Sequence, residues 1–177
     1  MKTIFAIFTI MFLAITPTKA FAFNPAFDII EFRHYPSLSE LKDTSDLIGL
    51  GEIKGVTNQY VTARRIAQGR LVNYIQRFDM RQAFKGRPQK VLLLNTGVSP
   101  LPPPRDPINA RYPGPLANGQ YIIFLKKIPG TPYYQLNGGW QGLYPVIQGK
   151  TVSLYHEGFP ELHQLTPDQF MEKLRRE

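Results

Sequence analysis

The chain contains no cysteine. Disulfides, thiolate metal sites, cysteine nucleophiles and lipid attachment through sulfur are therefore excluded. Histidine is scarce, at three residues, and tryptophan occurs once. No apolar run reaches the roughly 20 residues that span a bilayer. The longest, Ile4 to Ile15, has 12 residues and is broken by Thr9. Further along, Val91 to Leu94 and Tyr121 to Leu125 have the length of strands. No serine or threonine sits in a Gly-x-Ser-x-Gly elbow. Gly49-Leu50-Gly51 lies inside a strand pattern and leads into no helix, so it is not a dinucleotide loop.

What is present at the start reads as an export signal. Lys2 supplies a charged n-region, the apolar run follows, Pro17 ends it, and Ala20-Phe21-Ala22 offers small residues to signal peptidase. Cleavage is expected after Ala22, with Ala20 as the alternative. The mature part, Phe23 to Glu177, has 155 residues, the length of one domain. Loss of Lys2 and Lys19 leaves 19 Lys plus Arg against 13 Asp plus Glu, a net charge of +6. Such a protein is attracted to anionic polymers, among them wall teichoic acids, anionic lipids and extracellular DNA. Plain solubility charge is the competing explanation.

Local patterns order the mature chain. Ser37-Leu38-Ser39-Glu40 has capping-box spacing and opens a helix over Leu38 to Lys42. Leu47 to Val56 reads as a first strand whose Gly49, Gly51 and Gly55 mark bulges or close backbone approach. Leu71 to Met80 alternates, with Val72, Tyr74, Gln76, Phe78 and Met80 on the core side. Ala83 to Gly86 turns the chain, and Lys90 to Asn95 forms a third strand closed by Thr96-Gly97. Seven prolines between Pro100 and Pro115 predict that Val98 to Asn118 is a long surface loop with polyproline II character and no regular element. Strands are expected at Gln120 to Lys127, Tyr133 to Leu136, Gly142 to Ile147 and Thr151 to Tyr155. Thr166-Pro167-Asp168-Gln169 is a second capping box, with proline at the first helical position, and predicts a helix over Pro167 to Arg176. These patterns predict a mainly β chain, a small antiparallel OB-like β-barrel with a short N-terminal helix and a C-terminal helix.

The motif order carries a resemblance. Ser45-Asp46-Leu47-Ile48 leads into Gly51-Glu52-Ile53, then Ala83-Phe84-Lys85-Gly86. Leu116, Gly119, Tyr121 and Phe124-Leu125-Lys126-Lys127 come next. Tyr133-Tyr134, Gly138-Gly139, Gln141-Gly142 and Gly149-Lys150-Thr151-Val152 close the series. Over roughly Ser37 to Leu154 the chain resembles small secreted or lipoprotein-borne domains of Gram-positive bacteria of unknown function. Its layout is similar to the OB-like barrels of netrin-type modules and tissue inhibitors of metalloproteinases. Those inhibitors chelate zinc through an N-terminal cysteine. This chain has none, so the resemblance implies a fold and transfers no functional residue.

The candidate chemistry is sparse. His156 and His163, near Glu157 and Glu161, match no helical or hairpin metal spacing, and His34 stands alone. Glu52 and Asp79 would approach if their strands pair, but Asp79 lies between Arg77 and Arg81 and reads as neutralised surface charge. Arg64, Arg65, Arg70, Arg77, Arg81, Lys85, Arg87 and Lys90 crowd one region, interleaved with Tyr74, Phe78 and Phe84. OB folds hold single strands with such sets, yet Tyr74 and Phe78 fall in the core pattern, so a solvated basic face is expected and nucleic acid is not. The expectation is a non-catalytic secreted module with no cofactor or metal, associated with the anionic cell wall or with a secreted protein; an inhibitor of a partner protein and a hydrolase are the alternatives. Its partner contacts are placed in the proline-rich loop, at Leu101, Arg105, Arg111 and Tyr112, and at Trp140. The loop either binds as an inhibitor would or covers one end of the barrel. Trp140 is either an exposed platform beside Tyr133 and Tyr134 or a plug.

Overall fold

The computed structural model describes residues 23–87, 89–154 and 157–177. The leader read at 1–22 lies outside the described residues, as do Tyr155 and His156. The fold is mainly β, and its seven strands belong to one sheet. In chain order, helix α1 (Leu38–Thr44) precedes β1 (Leu47–Ile66), β2 (Gly69–Lys85) and β3 (Lys90–Ser99). Helix α2 (Ile108–Arg111) leads to β4 (Gly119–Lys127) and β5 (Tyr133–Leu136). A 3-10 turn (Gly139–Gly142), β6 (Leu143–Ile147), β7 (Lys150–Thr151), a second 3-10 turn (Pro160–Leu162) and α3 (Pro167–Arg176) follow.

Pairing runs β1–β2–β3–β5–β4, with β4 also hydrogen-bonded to β1. All of these pairs are antiparallel except β3–β5, which is parallel. β1 is twice its expected length. Its first part, Leu47 to Ile53, lies between β2 and β4, and the remainder pairs with β2. Register shifts fall at Ile48/Gly49, Leu50/Gly51 and Ile53/Val56, where the glycines are. A Cβ at Gly51 would collide with the Phe78 ring, so the backbones approach where the side chain is missing.

Three apolar layers follow. Ile53, Phe78, Leu93, Ile123, Leu125 and Leu136 pack as one cluster to which all of β1–β5 contribute. On the other face of β1 and β4, Ile48, Leu50, Ile122 and Phe124 are covered by Leu38 and Leu41 of α1 and by Phe170 and Leu174 of α3. Thr166 and Gln169 form the expected reciprocal capping box. At α1 the box is half made. Ser37 accepts from the Glu40 N–H, but the Glu40 carboxylate turns to Arg33 at 2.6 Å.

The third layer was not visible in the alternation of β2. Leu71, Asn73 and Ile75 are as buried as the core set, because residues 23–32 cross the outer face of β2 and β3. Asn73 donates to the carbonyls of Pro25 and Asp28 at 2.7 and 2.6 Å. It also accepts from Thr96, whose oxygen takes the Ile30 N–H at 2.8 Å. Ile30 then packs with Ile75, Leu94 and Ile128.

The proline-rich segment is also corrected. Val98 and Ser99 continue β3 past Thr96-Gly97, and α2 forms inside the segment. Tyr112, Pro113, Gly114 and Leu116 are buried, so the segment is no free surface loop. Gly97 and Gly114 lie backbone to backbone, and a Cβ on Gly97 would overlap the Gly114 carbonyl. Gln76, 1 % exposed, accepts from the Leu116 N–H and donates to the Leu116 carbonyl, both at 2.8 Å. The expected strand at Gly142–Ile147 starts one residue later, and Thr151–Tyr155 shrinks to Lys150–Thr151 among the described residues.

Candidate binding surfaces

The five residues proposed for partner contact separate into three environments. Leu101 is 63 % exposed, and Arg105, four residues on, is also exposed. Arg111 and Tyr112 lie at the end of α2 on the wall of a cleft of about 330 Å³. Trp140 is buried, which removes it as an exposed platform. Its 3-10 turn holds it under the proline-rich segment, where Nε1–H donates to the Asn109 carbonyl at 2.9 Å. Tyr112 is likewise corrected, since its ring packs with Leu71 and Val98. The plug alternative accounts for Trp140, and the covering alternative accounts for residues 112–116.

The cleft opens between residues 31–34, α2 and Glu157. Glu31, Glu157 and Arg111 supply its charge, and His34, Phe32 and Tyr112 its rings. Arg111 stacks over Tyr112 at 5.3 Å and stands 3.8 Å from Glu31 across an exposed pair. Contacts of that length and exposure contribute little. Among the described residues, no three acidic or histidine side chains converge as a metal site. His163 accepts the Ser153 N–H on Nδ1 at 3.1 Å, and His156 lies outside the described residues.

Glu52 and Asp79 do meet, as direct partners across β1 and β2. Each is neutralised there. Lys54 bonds Asp79 at 2.9 Å, Arg77 Nε lies 3.1 Å from the same carboxylate, and Arg81 bonds Glu52 at 2.9 Å. The Lys54 hydrogen bond, with the nearby cations, holds the Asp79 carboxyl below its ordinary value. Held as an anion, Asp79 is not the proton donor that paired-carboxylate hydrolysis needs.

The basic set does not form one patch. β2 has 17 residues and spans roughly 55 Å at about 3.3 Å per residue. Arg64, Arg65 and Arg70 sit at its start, around the Ala67-Gln68 turn, while Arg87 lies past its far end and Lys90 faces Asp79 from β3. Between them Arg77 and Arg81 are paired, and Lys85 donates to the carbonyls of Lys42 and Asp43 at the end of α1. The interleaved rings are unavailable. Tyr74 and Phe78 are buried, with the Tyr74 hydroxyl pushed above its ordinary value by desolvation, and Phe84 packs 6.1 Å from Phe170.

The sequence reading missed how strongly charge is segregated. Between Glu52 and Asp106 there are ten Lys and Arg residues and one acid, Asp79. A count by segment would have found it. No protein family model, curated protein or solved structure matches the chain. No helix among the described residues is long and apolar enough to cross a membrane.

Proposed function

We propose that this chain is an exported, non-catalytic binding module built on an OB-like five-stranded barrel and held on an anionic cell-wall polymer by its basic β1–β3 surface. The barrel reading rests on the cycle of pairings that leaves β1 through β2, β3, β5 and β4 and returns to β1. OB folds are five-stranded, partly open Greek-key barrels that serve as binding scaffolds. Export rests on the leader pattern at 1–22.

The observation that carries the binding reading is the ten-to-one excess of basic over acidic residues between Glu52 and Asp106. β1–β3 carry eight of these ten cations against two acids, Glu52 and Asp79, and with Lys54, Arg77, Arg81 and Lys85 held in internal contacts, the excess is free mainly at the β1–β2 turn and toward the β2–β3 connection. The test is retention of the exported protein on purified wall before and after extraction of its anionic polymer. Retention should weaken steeply with salt, since exposed charges are screened beyond about 10 Å at 0.1 M. It should also disappear with the polymer. Equal retention on extracted wall would refute the reading.

A second reading has one observation in its favour. Leu101 is highly exposed, and Arg105 is exposed four residues on, in a segment anchored at both ends. That geometry suits an inhibitor that presents a short rigid contact to a secreted protein. Leu101→Asp should then abolish capture of that protein and leave wall retention intact.

A further inference from the structure

Resting on the polymer-binding reading, we propose that the tip of the β1–β2 hairpin is the contact element, and that Arg64, Arg65 and Arg70 grip the phosphate groups of a base-free phosphodiester polymer. Arg65 and Arg70 are direct partners across the two strands. Side chains so placed have Cβ atoms about 5 Å apart, and like charges there repel. A fold gains nothing from this arrangement by itself. An anion lying between two guanidinium groups reverses the sign of the interaction.

No internal partner relieves the repulsion. All three arginines are exposed, and among the described residues none of their side chains forms an ion pair or hydrogen bond. Asp79 is nine residues along β2 from Arg70, roughly 30 Å at the strand rise. That is several screening lengths away. On the segments packed nearest, Asp28 accepts the Asn24 N–H and Asp106 accepts the Ile108 N–H. The tip is therefore a cationic site with open valence.

The side chains also select the ligand. The guanidinium fork matches two oxygens of a phosphate, a geometry that a lysine ammonium lacks, and the tip carries arginine alone. A nucleic acid would need exposed rings on which to stack its bases. The exposed apolar side chains near the tip are Val61 on β1, Leu101, two residues past the Ser99 partner of Arg70, and Phe27 on the segment that bonds Asn73, so a single exposed ring stands where a strand of bases needs successive ones. Two aliphatic side chains and one ring also fall well short of the apolar face that anchors a protein in a bilayer interface.

The experiment measures binding of the exported protein to poly(glycerol phosphate) as a function of salt. It compares wild type with R64Q/R65Q/R70Q and with R87Q/K90Q, distant from the tip at the β2–β3 connection. Each lost phosphate contact should remove about 0.7 from the slope of log affinity against log salt, as for flexible single strands, so the triple variant should lose about 2. Between 50 and 200 mM this is roughly a 15-fold smaller change in affinity. R87Q/K90Q should keep most of the slope. Because Arg65→Gln removes a repulsion, the triple variant should melt no lower than wild type, which separates lost contacts from lost structure. The proposal is overturned if the triple variant binds like wild type, whatever R87Q/K90Q does. It is equally overturned if poly-glutamate or oligothymidylate binds as well as the phosphate polymer, or if phosphatidylglycerol vesicles bind and the polymer does not. Failure of wild type to bind any anionic polymer would instead sink the function on which the proposal rests.

Discussion

Replacing Gln76 should release the proline-rich segment. The side chain is enclosed, and its amide answers both backbone groups of Leu116, itself 7 % exposed, with a longer bond to the Lys54 carbonyl at 3.3 Å. Gln76→Leu keeps the volume and removes the amide. The Leu116 N–H and C=O would then be buried without partners, at about 1–3 kcal/mol each. A loss of about 2–6 kcal/mol follows if the segment stays in place. The chain can avoid part of this by lifting residues 112–116 into water, at the cost of their burial. Two readouts cover both outcomes. Chemical denaturation gives the stability loss, and trypsin reports lifting by faster cleavage after Arg105 and Arg111. Gln76→Glu adds a sign test. Burial favours the neutral carboxyl, which can accept the Leu116 N–H and donate its one proton to the Leu116 carbonyl. Its folded-state pKa is then raised, so the variant is most stable below the free glutamate value of about 4.3 and loses stability as pH rises through the folded value. A Gln76→Leu protein within about 0.5 kcal/mol of wild type, with unchanged cleavage, would refute the clamp.

Three further outcomes follow from other parts of the molecule. Phe170→Ala should cost about 3–5 kcal/mol in urea unfolding, because the ring packs against Phe84, Phe124 and Tyr144 at 5.2–6.3 Å and docks α3. The stability difference between wild type and Asp79→Asn should shrink as pH falls through the lowered Asp79 value. A depressed carboxyl pKa contributes stability that is present above the unfolded value of about 4 and is lost on protonation. N-terminal sequencing of the exported protein should begin at Phe23, and a membrane-retained product beginning at Met1 would end the export reading.

Sequence by itself determined the features whose physics is local. Ser37 and Thr166 cap the helices they were expected to cap, because a side-chain oxygen reaches an N–H three residues on. β5 and α3 have their expected bounds, and the strand glycines fall at register shifts, because alternation, turn chemistry and a missing Cβ act within a few residues. The tertiary structure decided whatever depends on a distant partner. Nothing around Leu71, Asn73 and Ile75 announces that residues 23–32 will bury them, since the bonds that do so join positions 45 to 66 apart in the chain. Trp140 and Tyr112 could each have faced solvent. The Asn109 carbonyl and the Leu71–Val98 surface drew them in. The basic cluster looked continuous because its members are near in sequence. An extended strand separates such neighbours by more than 3 Å per residue, and pairing across the hairpin then set Arg65 against Arg70. Local pattern therefore placed the elements, while cross-strand register and long-range burial decided which side chains remain free to meet a ligand.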